Sequence, residues 1–327
     1  YSFILLFKAV ITGGLLILGT ILVVQREITL GQFIAAEVII ILVLASVEKI
    51  IMYMDVVYDM LTAVDKISHV TDLPLEKTGG IDIPSSQLKD GLKVSLSNVS
   101  YKYPGARNSS LSKVSIDIPQ GKSLCISGGS AAGKTTLTNI IAGIHQNYEG
   151  VLTYNDHSLR DLDTTYIRDR IAKNFSQEDI FEGTILENIL VGKPTSDIKD
   201  AFDAVKDVGL LEEINNLEVG FNTQILSSGK GYSSSFVNKL ILARCLAKKP
   251  ALLILNDFFN DFTKNERLRL IEMLTREDKK LTLIVVSNDP LVMAACEQII
   301  FMDSGEIKAT GSFDELIKNE DILKDIY

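Results

Sequence analysis

The run Gly128–Thr135, GGSAAGKT, constrains the fold more than any other stretch of this 327-residue chain. Its pattern, G-x-x-x-x-G-K-T, requires three things in order. A strand must end, a loop of small residues must turn its backbone N–H groups inward, and a helix must start with its N-terminus aimed at the same point. The flanks supply all three. Ser123–Ser127 reads as an apolar strand, and the LTNIIAGI run that follows reads as an amphipathic helix. A chance glycine-rich turn would not carry this context. Phosphate is what such a loop holds. Gly128, Gly129, Ser130, Ala131, Ala132, Gly133 and Thr136 form the cradle, Lys134 reaches the outer phosphates, and the Thr135 hydroxyl is placed to bind Mg²⁺.

Two other stretches bound the architecture. Ser2 to Val24 is almost wholly apolar, with Lys8 as its one charge, and a second apolar run extends from Phe33 to Met54. At about 1.5 Å per residue, each can cross a hydrocarbon core of roughly 30 Å. A short polar break, QREITLGQ, separates them, so together they predict a transmembrane hairpin. Lys8 is expected to snorkel to an interface. Glu37 and the Glu48/Lys49 pair interrupt the second run and should face a helix neighbour, an interface or water. Helical spacing continues past Met54 through DVVYDMLTAVDKISHV, which predicts one long helix running out into water. His69 near its end reads as structural. Proline, a Gly pair and Ser in TDLPLEKTGGIDIPSSQLKDG mark a linker. The resulting domains are 1–72 for the membrane helices, 73–92 for the linker and 93–327 for an α/β nucleotide domain. The chain opens at Tyr1 inside an apolar run, which reads as a fragment of something longer.

The formal net charge of −9 lacks the basic footprint of a nucleic-acid binder, so no nucleic-acid partner is expected. Cys125, Cys245 and Cys296 are far apart and in apolar contexts, which fits buried thiols rather than a metal or disulfide framework.

Further landmarks follow in order: VSYKYPG at 99–105, NFSQEDIFEGTILENIL at 174–190, GYSSSFVNKLILARCLAKKP at 231–250, LLILND at 252–257, LTLIVVSND at 281–289 and FMDSGEIKATGSFDELI at 301–317. With the phosphate loop, this set resembles the C-terminal part of an ATP-binding-cassette exporter, a half-transporter with a membrane domain fused to a nucleotide-binding domain. The resemblance implies an α/β P-loop NTPase fold with an antiparallel β subdomain and a helical subdomain near Asp200–Leu217, preceded by an all-α hairpin. The hairpin would be the last two of the family's usual six membrane helices. The resemblance also implies ATP and Mg²⁺ as ligands and a second half-transporter as partner. It implies an unknown transported substrate and a multi-pass place in the plasma or inner membrane, with the nucleotide domain in the cytoplasm. By the same likeness Tyr103 stacks on adenine, Gln177 touches Mg²⁺ together with Thr135, and Ser233 meets a γ-phosphate across a dimer interface.

The departures from the family pattern gather on its catalytic half. Ala131 replaces a common Gly, which ATP binding survives provided no Gly-only backbone angle is needed there. The signature, usually LSGGQ, reads Tyr232-Ser233-Ser234-Ser235-Phe236. Asn256 stands where the Walker B Asp supplies charge toward magnesium. Asp257 replaces the Glu that polarises water and retracts the carboxylate by roughly 1 Å. Asn288 replaces the switch His and cannot titrate near neutral pH. Thr263 replaces the Asp of the D-loop. These changes predict a chain that binds Mg·ATP and hydrolyses it slowly or not at all at its own Walker site. It would be the degenerate half of a heterodimer. The competing readings are a non-hydrolysing regulatory or scaffold protein at a membrane, and a soluble P-loop kinase or GTPase.

Overall fold

The structure, a computed structural model, describes residues 2–73, 75, 79–174, 180–192, 197–276 and 279–318. The chain divides into two compact units, Tyr1–Glu76 and Lys77–Tyr327.

The first unit is two helices, α1 (Ser2–Val24) and α2 (Leu30–Thr71). A capping box starts α2. The Gln32 N–H donates to Thr29 Oγ1 at 3.3 Å, and the Thr29 N–H donates back to Gln32 Oε1 at 2.9 Å. The helix then runs unbroken for 42 residues, roughly 60 Å, about twice a hydrocarbon core. None of its residues is buried in the unit, and most of its apolar side chains are exposed. Both helices are long and apolar enough to cross a membrane. Gly19 lets them approach, because a Cβ there would sit 2.0 Å from the Phe33 ring. Lys8 meets a partner on the neighbouring helix. Its Nζ pairs with Glu48 Oε2 at 3.0 Å across the two helices, which partners two charges that each would otherwise be costly among apolar surroundings. His69 pairs with Asp65 one turn back on the exposed end of α2.

The second unit is layered. β1 (Val94–Tyr101) and β2 (Leu111–Ile118) lead into β3 (Ser123–Gly128), the phosphate loop and α3 (Lys134–Ile141). Next come β4 (Glu149–Tyr154), β5 (His157–Ser158), α4 (Thr164–Arg168) and β6 (Ile171–Lys173). β7 (Gly183–Thr184), α5 (Ile185–Leu190), α6 (Ile198–Asp207), α7 (Leu211–Asn215), β8 (Gln224–Ile225) and α8 (Ser234–Ala247) make the helical part. β9 (Leu252–Asn256), α9 (Lys264–Thr275), β10 (Thr282–Val286), α10 (Pro290–Ala295), β11 (Gln298–Asp303), β12 (Glu306–Gly311) and α11 (Phe313–Leu316) close it.

β2, β1, β4 and β5 form an antiparallel sheet, and β12, β11, β3, β10, β9 and β6 form the central sheet. Strands β3, β9 and β10 are buried along their whole length, as the unbroken apolar runs LLILN and TLIVV require of inner parallel strands. Edge strand β12 alternates exposure instead. One core fills the space around both sheets and α3, centred on Leu124, Ile126, Leu137, Ile140, Leu152 and Tyr154. A second packs the helical part on the far face through Leu240, Leu253, Leu255 and Phe259. Arg244 of α8 is buried with it, donating from Nε to the Asn188 carbonyl of α5 at 2.7 Å. All three cysteines are buried, and none is in a disulfide among the described residues.

Candidate nucleotide site

Strand register brings the landmarks together. β10 lies between β3 and β9, with Val286 opposite Ile126 on one side and Asn256 on the other. The three strands therefore end at one level. The loop after β3, Asp257 after β9 and Asn288 after β10 meet at the carboxyl edge of the parallel sheet, where open α/β sheets bind ligands.

The phosphate loop is shaped by its glycines. Gly128 sits at φ 143°, and a Cβ there would lie 2.1 Å from the Met302 carbonyl oxygen. Gly133, at φ 97°, caps α3, and its Cβ would meet the Ser110 carbonyl at 2.7 Å. Ala131 adopts φ 60°, the left-handed region. An L-residue reaches that angle at a cost of about 1 kcal/mol, so the loop keeps its path with some strain. The loop borders a cavity of about 600 Å³ that Ser130, Ala132, Thr135, Thr136 and Asp257 also line, a size suited to a nucleotide. Lys134 folds back, donating from Nζ to the Gly128 and Gly129 carbonyls at 2.6 Å each. Burial lowers its pKa, while the charge of Asp257 works against that. Asp257 itself is exposed and left-handed at φ 47°, held by its N–H on the Val286 carbonyl at 3.0 Å.

Asn288 does not point into open space. Its Oδ1 accepts from Ser127 Oγ at 2.9 Å and from the Gly128 N–H at 3.1 Å, while its Nδ2 donates to the Gly128 carbonyl at 3.1 Å. Asn288 is thus a clamp on the root of the phosphate loop.

Asn256 is buried and oriented. The Thr138 hydroxyl donates to the Thr135 carbonyl at 3.0 Å, so its oxygen is left to accept, and Asn256 turns Nδ2 toward it at 3.2 Å. Among the described residues Asn256 Oδ1 has no hydrogen-bond partner. Asn174 completes the neighbourhood, accepting from the Asn256 N–H at 2.7 Å and donating to its carbonyl at 3.2 Å. Lys173 also reaches this place, donating from Nζ to Thr138 Oγ1 at 3.0 Å and to Asn139 Oδ1. Burial lowers its pKa to about 8, which leaves it mostly a cation at neutral pH.

Tyr103 is partly exposed beside the loop, its hydroxyl 3.2 Å from Thr136 Oγ1 and 3.3 Å from His145 Nε2. His145 stacks on Tyr101 at 4.9 Å and 11° between planes, and Tyr103 stands edge-on to both rings. Burial first, then the charge of Lys173, lowers the pKa of His145. Gln177 lies outside the described residues.

The signature segment is tied inward. Ser233 caps α8, its Oγ accepting from the Phe236 N–H at 3.2 Å. Phe236 is buried and stacks on Tyr232 at 4.6 Å. The Ser235 hydroxyl donates to Glu266 Oε1 of α9 at 2.8 Å, and Lys239 donates to the same oxygen at 2.7 Å. Thr263, the D-loop departure, caps α9 and closes a reciprocal box with Glu266.

Among the described residues, the donor set offers little anionic oxygen to the divalent metal that the family likeness implies. Thr135 offers a hydroxyl and Asn256 a neutral amide oxygen. Asp257 is the one carboxylate among the described residues that line the cavity, and Lys173 brings an ammonium behind α3. Magnesium favours anionic oxygens.

Known proteins share this arrangement. A family profile described as "ABC transporter" matches residues 111–260, the stretch from β2 past the Walker B segment. Over those residues the chain carries an ABC transporter domain. The alpha-hemolysin translocation ATP-binding protein HlyB of Escherichia coli O157:H7 is 26% identical over 306 residues, covering 94% of this chain and 43% of that protein. The mating factor M secretion protein mam1 of Schizosaccharomyces pombe is 30% identical over 255 residues, 77% of this chain and 18% of its own length. A rat mitochondrial potassium channel ATP-binding subunit is 29% identical over 243 residues, 74% and 34% respectively. The chain therefore spans less than half the length of each of these relatives. A bacterial Atm1-family ABC exporter, solved with ATP bound, superposes with a TM-score of 0.72 at 20% identity, covering 81% of this chain and 46% of that one. That likeness carries the fold. The described site keeps a formed phosphate loop, while Asn256 and Asn288 are amides engaged with the protein's own atoms.

Three residues that sequence reasoning passed over contribute here: Lys173, His145 and Glu266. Lys173 had a signal, a lone charge in the IAKNF run that pairs with a fully apolar strand. His145 and Glu266 had none that separates them from surface residues.

Proposed function

We propose that this chain is the ATP-binding subunit of a membrane exporter. In this reading it is the degenerate half of a heterodimer that holds ATP with little or no hydrolysis at its own Walker site. The observation that carries this is the contrast within one site. The loop Gly128–Thr136 is shaped for phosphates beside a nucleotide-sized cavity. Yet Asn288 is spent as a clamp on Gly128, and Asn256 donates inward to Thr138. Neither contributes the charge or proton acceptor that would drive turnover.

Each named residue has a part. Lys134, released from the Gly128 and Gly129 carbonyls, takes the outer phosphates, and the N–H groups at the start of α3 take the rest. Tyr103 stacks on adenine, with Tyr101 and His145 bracing its ring. Gln177 links the nucleotide to the membrane helices. Asp257 is placed to orient a water but lacks the reach of Glu. Ser233, still a hydroxyl at a helix N-terminus, faces the nucleotide of a partner half-transporter. α1 and α2 cross the bilayer as the last two helices of a membrane domain, with the nucleotide unit in the cytoplasm and the transported substrate unidentified.

Purification of the intact protein from its own membrane tests the assembly. A second cassette subunit with an intact Walker B segment is expected to accompany it. Recovery as a lone monomer, with no closure on ATP, contradicts the heterodimer and favours a regulatory or scaffold role.

A further inference from the structure

Asn288 reaches Gly128 because both of its chain neighbours are anchored. Before it, the Ser287 N–H donates to the Ile126 carbonyl of β3 at 3.1 Å, and the Ser287 hydroxyl accepts from the Asp289 N–H at 3.1 Å. After it, the Asp289 carboxylate is used twice. Its Oδ1 accepts from the Leu291 N–H at 2.8 Å and caps α10, while its Oδ2 pairs with Arg267 Nη1 of α9. Arg267 Nη2 donates in turn to the Phe262 carbonyl, at 3.0 Å, in the turn between β9 and α9. The guanidinium therefore ties the segment after β10 to the segment after β9, one residue from the clamp. The two side chains are 22% and 15% exposed, so salt screens the pair only weakly.

The clamp matters when the loop fills. The buried Gly128 carbonyl accepts from Lys134 Nζ at 2.6 Å and from Asn288 Nδ2 at 3.1 Å. Lys134 must release that carbonyl to reach a phosphate. Asn288 then stays as its donor, which avoids leaving a buried acceptor unmet.

We propose that Arg267 is a positioning residue of the nucleotide site: through Asp289 it holds Asn288 on Gly128, so that Lys134 is free to take a phosphate ligand. Arg267 does not line the cavity and acts only through its neighbours. The inference rests on the nucleotide-binding reading above.

Calorimetric titration of ATP into the intact chain, stripped of nucleotide in detergent with Mg²⁺ present, tests this beside amide exchange at Gly128. Arg267→Met is expected to weaken ATP binding by about tenfold and to speed exchange at Gly128, whose N–H bonds Asn288 Oδ1. Arg267→Lys keeps a cation for Asp289 and should stay within about threefold of the unaltered chain. Arg267→Met with Asp289→Asn removes the carboxylate left unpaired, and with it the main threat to folding. The tether is still absent, so ATP binding should remain about tenfold weak. Arg267→Met with Asn288→Ala should bind no worse than Asn288→Ala alone, because one acts through the other. Unchanged affinity in Arg267→Met, the full loss in Arg267→Lys, recovery in the double neutral variant, or additive losses with Asn288→Ala each overturn the proposal. Where Arg267→Met alone does not fold, the double neutral variant decides. Absence of ATP binding by the folded, unaltered chain overturns the nucleotide reading itself.

Discussion

Glu266→Gln should loosen the segment that would face a partner's nucleotide. Glu266 joins α8 to α9. Lys239 Nζ and Ser235 Oγ bond one carboxylate oxygen at 2.7 and 2.8 Å, and Thr263 bonds the other through its hydroxyl and N–H at 2.9 and 3.1 Å. Lys239 foremost, then Ser235 and Thr263, hold its pKa down from an ordinary 4.5 to about 2 against the cost of burial. At about 1.4 kcal/mol per pKa unit, that drop would convert to roughly 3 kcal/mol. The carboxylate side chain is 30% exposed, so solvent screening brings the expected contribution to about 1–2 kcal/mol. The sign follows from a depressed folded value. The stabilisation is complete above 4.5 and is lost as pH falls from 4.5 toward 2. Urea unfolding of the nucleotide unit, followed from neutral to acid pH for both proteins, tests it. The variant should be less stable by about 1–2 kcal/mol at pH 7, and the gap should narrow below pH 4.5. A gap under about 0.5 kcal/mol, or one that stays constant into acid, refutes the claim that this ion-paired strap holds the signature inward.

Other substitutions probe the loop and the base platform. Ala131→Gly relieves about 1 kcal/mol of left-handed strain at φ 60° and gives back about 0.5–1 kcal/mol in chain entropy, so stability in the same unfolding assay should rise by no more than about 0.5 kcal/mol. Asn288→Ala removes three hydrogen bonds from the loop root and should cost about 1–3 kcal/mol, with faster amide exchange at Gly128 and Gly129. Tyr103→Ala should weaken ATP binding by about tenfold, in keeping with one base stacked on one ring. Tyr103→Phe should leave ATP binding nearly unchanged, and a loss there would assign the role to the hydroxyl instead.

Much of this architecture was legible because its signals are local. GGSAAGKT carries its own strand, turn and helix, and LLILN and TLIVV read as inner strands because nothing polar interrupts them. Asn256 and Asn288 stood out as departures for the same reason. What they do instead depends on register. Only the pairing of β3, β10 and β9 shows that Asn288 lands on Gly128 and that Asn256 meets Thr138. Lys173 gains meaning only from its place opposite Ile254. The Lys8–Glu48 pair was not legible, because the two residues lie forty positions apart and meet only when the two helices fold against each other. Ala131 posed a question of backbone angle, which residue type alone does not answer. Phe236 and Ser235 read as a spoiled ligand motif, whereas the packing gives them a second use, a stack on Tyr232 and a bond to Glu266.

The central claim is that this site holds a nucleotide without consuming it. Incubation of the intact chain with ATP, rapid removal of free ligand and chromatography of what stays bound tests both halves at once. Nucleotide recovered as ATP, near one per chain and lost in Lys134→Ala, is the predicted result. Bound ADP with matching phosphate release at rates above about 1 per second, or no retained nucleotide, contradicts the account.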